Sequence, residues 1–226
     1  MTNLIKRFWP VALVLLVLIG AAGLSVNTIP TKEERARASW ADVQSQYQRR
    51  ADLVPNLVAT VQGYANQEKS VLIAVTEARA SATQVRVDAS TLTDPAAFGK
   101  YQAAQAQLSG VLGRLLAITE NYPDLKSNQN FLALQNQLEG TENRITVARR
   151  DYNEAVRDFN TSLRTLPGSL WAGTFYRNSK PMQLFEAAST AQTAPKVDFT
   201  PQPVTPQPVT PQPVTPQPVT PPTAPK

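Results

Sequence analysis

The sequence predicts an all-α protein: an N-terminal transmembrane helix, then a long-helix, up-and-down bundle of about four helices, then a disordered proline-rich tail. Three observations predict it. Apolar residues recur in steps of three and four from Trp40 to Leu166. No charged residue stands between Arg7 and Lys32. The pentapeptide PQPVT repeats four times over residues 201–220. The corresponding boundaries are 1–30 for the anchor and its flank, 31–190 for the bundle and 191–226 for the tail.

The anchor is the run FWPVALVLLVLIGAAGLSV, residues 8–26, with Trp9 placed as an interfacial residue. About 20 apolar residues suffice to cross a bilayer as a helix. A cleaved signal peptide is the alternative, since Gly20, Ala21 and Ala22 offer small residues to a peptidase. The apolar run continues through Leu24 and Val26, which favours an uncleaved span. Basic residues flank both ends, Lys6 and Arg7 against Lys32, Arg35 and Arg37. The short N-terminal flank then favours a C-terminal domain outside the cytoplasm.

The first helical stripe runs Trp40, Val43, Tyr47, Arg50, Val54, Leu57, Val61, Tyr64, Glu68, Val71, Val75, Ala78, Ala82, Val85. Pro55 interrupts it beside Arg49, Arg50 and Asp52. Proline removes an N–H and disfavours helical geometry at the residue before it, so this stretch is expected to form a kink or tight joint. The freed carbonyl of Ala51 then needs a donor, for which Arg49, Arg50 and the Asn56 amide are the candidates. The second stripe is Phe98, Tyr101, Gln105, Leu108, Leu112, Leu115, Thr119, Tyr122, opened by Asp94 as N-cap and Pro95 at the first helical position. The third is Phe131, Leu134, Leu138, Thr141, Ile145, Ala148, Tyr152, Val156, Phe159, Leu163, Leu166. Ser127 or Asn128 caps its start, and Pro167-Gly168 ends it. Such a helix is roughly 58 Å long at 1.5 Å per residue and needs partners along its whole length. The first segment must therefore break in two.

Arg50, Glu68, Gln105, Thr119 and Thr141 are polar positions within these stripes. They sit either at seam edges, with side chains reaching water, or in a buried polar layer in which Glu68 meets Arg50 or Arg144. Beyond the third stripe, Leu170, Trp171, Phe175, Tyr176, Met182, Leu184 and Phe185 are too many apolar residues for a free linker. They are expected to pack back onto the bundle, with a docking patch or a dip into the headgroup layer as the alternative. The tail has proline at two of every five positions and cannot build a core. As polyproline II it is a spacer on the order of 60 Å.

Composition narrows function. The chain has no cysteine and no histidine, which removes thiol chemistry and the commonest general base. Its net charge of +5 is spread along the chain rather than gathered into a patch, so no nucleic-acid partner is expected. The carboxylate pairs Glu139/Glu142 and Asp151/Glu154 are examples of candidates for acid–base work or for a hard cation. No phosphate loop or nucleophile elbow accompanies them. No catalytic residue, metal or cofactor is therefore assigned. Glu142, Arg149, Asp151 and Glu154 read as paired charges on an exposed helix face, or else as an interaction surface. Arg35, Arg37, Arg49 and Arg50 form the alternative of a lipid-facing helix.

The segments YQRRADLVPNLVATVQGYANQE (47–68), ENYPDLKSN (120–128), LEGTENRITVARRDYNEAVRDFN (138–160) and APKVDF (194–199) together resemble the LemA family. The resemblance covers roughly residues 32–199 and omits the PQPVT tail. It implies a bacterial protein of the inner membrane, with a single N-terminal span and a bundle of four helices. It implies no reaction and no catalytic site. A membrane-tethered, non-enzymatic module with a protein partner of unknown identity is the resulting expectation.

Overall fold

The computed structural model describes residues 25–85, 87–88 and 90–186, together with Trp9, Leu13, Leu16, Val17, Gly20 and Gly23. The PQPVT tail and the APKVDF segment lie outside the described residues, as does most of the apolar run 8–26. The described members of that run are helical, and Trp9, Leu13, Leu16 and Val17 are exposed. Among the described residues no helix is long and apolar enough to cross a membrane.

The described chain is helical: α1 (Thr28–Tyr64), α2 (Lys69–Gln84), a 3-10 turn (Thr91–Thr93), α3 (Pro95–Thr119), α4 (Pro123–Lys126), α5 (Gln129–Arg164) and α6 (Gly168–Thr174). Capping explains two of the boundaries. Asp94 accepts from the N–H groups of Ala96 and Ala97, with Pro95 at the first helical position. Asn128, rather than Ser127, accepts from Asn130 and Phe131 at the start of α5. Each such cap is worth about 1 kcal/mol.

The chain does not break out of the helix at Pro55. Helix α1 runs through it to Tyr64, and the chain turns over Ala65–Glu68 instead. A proline inside a helix costs about 3 kcal/mol. Val54, Leu57 and Val61 on the same face are fully buried, and each such side chain recovers about 1.5–3 kcal/mol. Packing therefore outweighs the local penalty. The ENYPDLKSN stretch is a joint, in which α4 occupies one turn and drives Leu125 into the core.

Helices α1 and α5 are antiparallel over their full lengths. Lys32 reaches the carbonyl of Asp158, Trp40 packs on Tyr152, Arg50 pairs with Glu142, and Asn128 donates to the Tyr64 hydroxyl. Helix α2 returns along α1, and α3 runs back along α2, so α1, α2, α3 and α5 alternate in direction. Backbones pack closely between α1 and α5, α1 and α2, and α2 and α3, whereas α3 and α5 are held apart. Side chains and a strap of extended chain fill part of that seam. The strap is residues 181–186, which places Met182 and Phe185 in the core. Of the remaining apolar residues after α5, Trp171 and Tyr176 are half-buried against the bundle, while Leu170 and Phe175 are exposed.

Candidate functional site

Arg50 falls on the buried stripe of α1, midway along the bundle, where its side chain must find partners from other helices. It is 1% exposed. One guanidinium nitrogen, Nη1, donates to Ser109 Oγ at 2.5 Å and to Glu142 Oε1 at 2.9 Å. The other, Nη2, donates to Gln105 Oε1 at 2.6 Å and to the Gln105 carbonyl at 3.2 Å. The guanidinium also stacks over the Tyr47 ring, 4.9 Å from its centroid, a favourable cation–π placement. Gln105 passes the network to α2 by donating to the Ala82 carbonyl. Of the guanidinium nitrogens only Nε has no partner. One charged side chain thus ties α1, α3 and α5 together, the geometry that makes a buried charge tolerable. Burial pushes the phenols of Tyr47 and Tyr101 above their usual range, against a lowering pull from the Arg50 charge on both.

A polar layer is therefore present, with Glu142 as its acid. The expected pairing of Glu68 with Arg50 or Arg144 is not formed. Glu68 lies in the turn before α2, 13 residues beyond Pro55, and accepts from the Tyr122 hydroxyl at 3.0 Å. That bond holds the Tyr122 phenol above its usual range. Arg144 is exposed and lines a shallow groove of about 360 Å³ between α1 and α5 with Asp42, Gln46 and Asp151.

The remaining candidates separate. Arg49, Asp52, Pro55 and Asn56 are exposed on α1, with Asp52 accepting from Gln48. None of Arg49, Arg50 or Asn56 serves the carbonyl freed by Pro55. Arg79 of α2 donates its Nε to Ala51 O at 2.8 Å. Arg149 lies over the Phe185 ring at 4.5 Å, and Asp151 pairs with Arg150. Glu139 accepts from Gln135, and Glu142 is held by Arg50. The four carboxylates do not converge, and among the described residues no cluster of three metal-ligating side chains occurs.

Sequence reasoning missed the strap's seat. Asn160 donates to the Met182 carbonyl and accepts from the Met182 N–H, both at 2.9 Å. Asn153 does the same for Phe185, at 3.0 and 2.9 Å. Tyr152 donates to Gln183 O, Gln183 N donates to Leu92 O, and Gln102 donates to Glu186 O. Each asparagine amide replaces a neighbouring strand, reading extended backbone from a helix face. The only signal was two asparagines seven apart, which share one face of α5. Farther along the same α3/α5 seam, Ser109, Leu112, Gly113, Leu116, Leu138, Glu139, Glu142 and Asn143 line a groove of about 460 Å³. Its wall includes Ser109 and Glu142, the two groups that share Arg50 Nη1. Glu142 is 41% exposed there.

Comparison with known proteins places this arrangement among relatives. The magnetosome proteins MamQ 1 and MamQ 2 of Paramagnetospirillum magneticum are each 25% identical over 183 residues, covering 74% of this chain and 66% of their own length. Protein LemA of Metamycoplasma hominis is 26% identical over 123 residues, covering 54% of this chain and 52% of that protein. This chain thus spans between half and two thirds of the length of these relatives. The profile described as LemA family matches residues 39–199, so the chain belongs to the LemA family.

Proposed function

We propose that this protein is a non-enzymatic scaffold, tethered to the bacterial inner membrane by residues 8–26, that docks an extended segment of another protein in the α3/α5 groove. The observation that carries this reading is the strap. In the upper part of the seam, Asn153 and Asn160 bind extended backbone through paired amide bonds while Phe185 and Met182 fill apolar space. The lower part of the same seam offers Leu112, Leu116 and Leu138 for apolar side chains, and Ser109, Asn143, Glu139 and Glu142 for polar ones. Such a mixture of apolar floor and a few polar groups suits a peptide with alternating apolar and basic residues.

A non-catalytic role is supported by the engagement of Glu139, Glu142 and Asp151 in hydrogen bonds or ion pairs. A single-pass anchor agrees with the uncharged apolar run of residues 8–26, and this reading puts the bundle outside the cytoplasm. A reporter fused at Lys226 is expected to be active only in the extracytoplasmic compartment.

The groove is tested by placing a photoreactive residue at Leu116, in the full chain and in its native membrane. A reproducible cross-linked band is expected from Leu116 and none from exposed Ala41 on α1. The band should vanish in a Glu139→Lys variant, which reverses a charge at an exposed position of the groove wall and should retain the wild-type melting temperature. Equal cross-linking from both positions, or none from either, would reject the groove as the docking place.

A further inference from the structure

Large apolar residues exposed on the described bundle are scattered singly, as at Ile73, Leu132 and Val147, and such residues need no explanation. The stretch following α5 is different. Leu166 is 74% exposed, Leu170 58% and Phe175 71%, all within ten residues. Gly168 packs so closely on the end of α5 that a Cβ there would lie 2.1 Å from the Ser162 carbonyl oxygen. A side chain at position 168 would therefore displace the turn before α6. Trp171 Nε1 donates to Ser25 Oγ at 2.9 Å, pinning α6 to the end of the apolar run. Ser179 donates to Glu33, which holds the chain just after α6 to the first turns of α1.

Charge points the same way. From Phe159 to Phe185 the chain carries Arg164, Arg177 and Lys180 and no acidic residue. All three basic side chains are exposed. Exposed apolar side chains flanked in sequence by cations, and bonded through Trp171 to the end of the apolar run, match the chemistry of the boundary between anionic headgroups and acyl chains.

We infer that the knuckle of residues 166–175 is a second membrane contact, with Leu166, Leu170 and Phe175 entering the interfacial layer and Arg164, Arg177 and Lys180 against lipid phosphates. The inference rests on the reading of residues 8–26 as a membrane anchor. It gives the bundle a fixed attitude to the bilayer, because two attachments restrict tilting where one does not.

The chain has no cysteine, so single-cysteine variants take a nitroxide label at one place. Leu16→Cys, Leu170→Cys, Phe175→Cys and Ile73→Cys would be made in the full chain. Each would be reconstituted in phosphatidylethanolamine–phosphatidylglycerol vesicles, and relaxation by oxygen compared with relaxation by a water-soluble nickel chelate. Labels at 16, 170 and 175 are expected to shift to oxygen-dominated relaxation, and the label at 73 to stay nickel-dominated. Nickel-dominated relaxation at 170 and 175 overturns the inference whatever residue 16 does. Protection of 170 and 175 from both reagents also overturns it, since protein rather than lipid would then cover the knuckle. A label at 16 that alone sits in water overturns the anchor reading instead.

Discussion

Two halves of the bundle share helices α1, α3 and α5 but are packed by different chemistry. On one side of Arg50 the core is aromatic: Trp40, Tyr47, Phe98, Tyr101, Tyr152, Phe159 and Phe185. Trp40 alone contacts four rings at centroid distances of 5.2–5.9 Å. On the other side the core is mainly aliphatic, built from Val54, Leu57, Val61, Val75, Leu108, Leu112, Leu115 and Leu138, with Phe131 its one fully buried aromatic ring. The strap closes the α3/α5 seam over the aromatic half. Over the aliphatic half the seam remains a groove. The difference shows how one pair of separated helices supports two states of the same cleft, one filled by the chain itself and one accessible from outside.

The sharpest test of this division is its boundary. Arg50→Ala removes a buried cation and its bonds to three side chains, and should cost about 4 kcal/mol of folding stability. Denaturant unfolding of the purified full chain would measure it, and hydrogen exchange should show protection falling in both halves together. Phe185→Ala should cost about 3 kcal/mol, with the loss confined to the aromatic half. Equal loss of protection around Leu115 and Leu138 would show that the halves are one cooperative unit.

These two positions also mark what the sequence makes visible. The stripes identify the buried face of every long helix, and Asp94 and Asn128 declare their helix starts through side-chain chemistry that acts within three residues. Phe185 was legible only as one of several apolar residues expected to pack back. Its seat was not, because Asn153 and Asn160 look like ordinary polar residues until an extended segment lies beside them. The partner of Arg50 was misread for a related reason. Glu142 lies one residue off the apolar stripe of α5, and its reach to Arg50 follows from an antiparallel register that depends on where α1 ends. Pro55 suggested an early end. The actual turn at Ala65–Glu68 carries no proline, and burial on either side of Pro55 decided the outcome.

Smaller effects refine the comparison. Arg79→Met keeps most of the side chain's volume but strips the donor from the Ala51 carbonyl, and should cost about 2 kcal/mol. The loss should appear as faster exchange in α1 around Pro55, with the aromatic half unaffected. The smallest effect is expected at Asp88, in the loop between α2 and α3. Hydrogen bonds from the Ser90 hydroxyl and from the Thr91 N–H and hydroxyl lower its carboxyl to about 2, from an ordinary 3.8. A depressed acid stabilises the folded chain while it is ionised. That contribution is whole above about pH 4 and fades as pH falls through about 2. The melting temperatures of wild type and Asp88→Asn should therefore differ slightly near neutrality and converge over that window. A difference that stays constant to pH 2 would mean that the loop does not depend on the charge.

The bond from Arg79 to Ala51 has a consequence for assembly. A regular helix offers a neighbour the same surface every turn, so two such helices can slide past one another by a turn at modest cost. Pro55 cuts a single notch in that repeating surface, and Arg79 is the single tooth that fits it. A slip of α2 along α1 by one turn would leave the notch empty and the tooth buried against a carbonyl already bonded. The proline that weakens α1 locally thus serves as an index mark, selecting one alignment of the hairpin from several that apolar packing alone would accept.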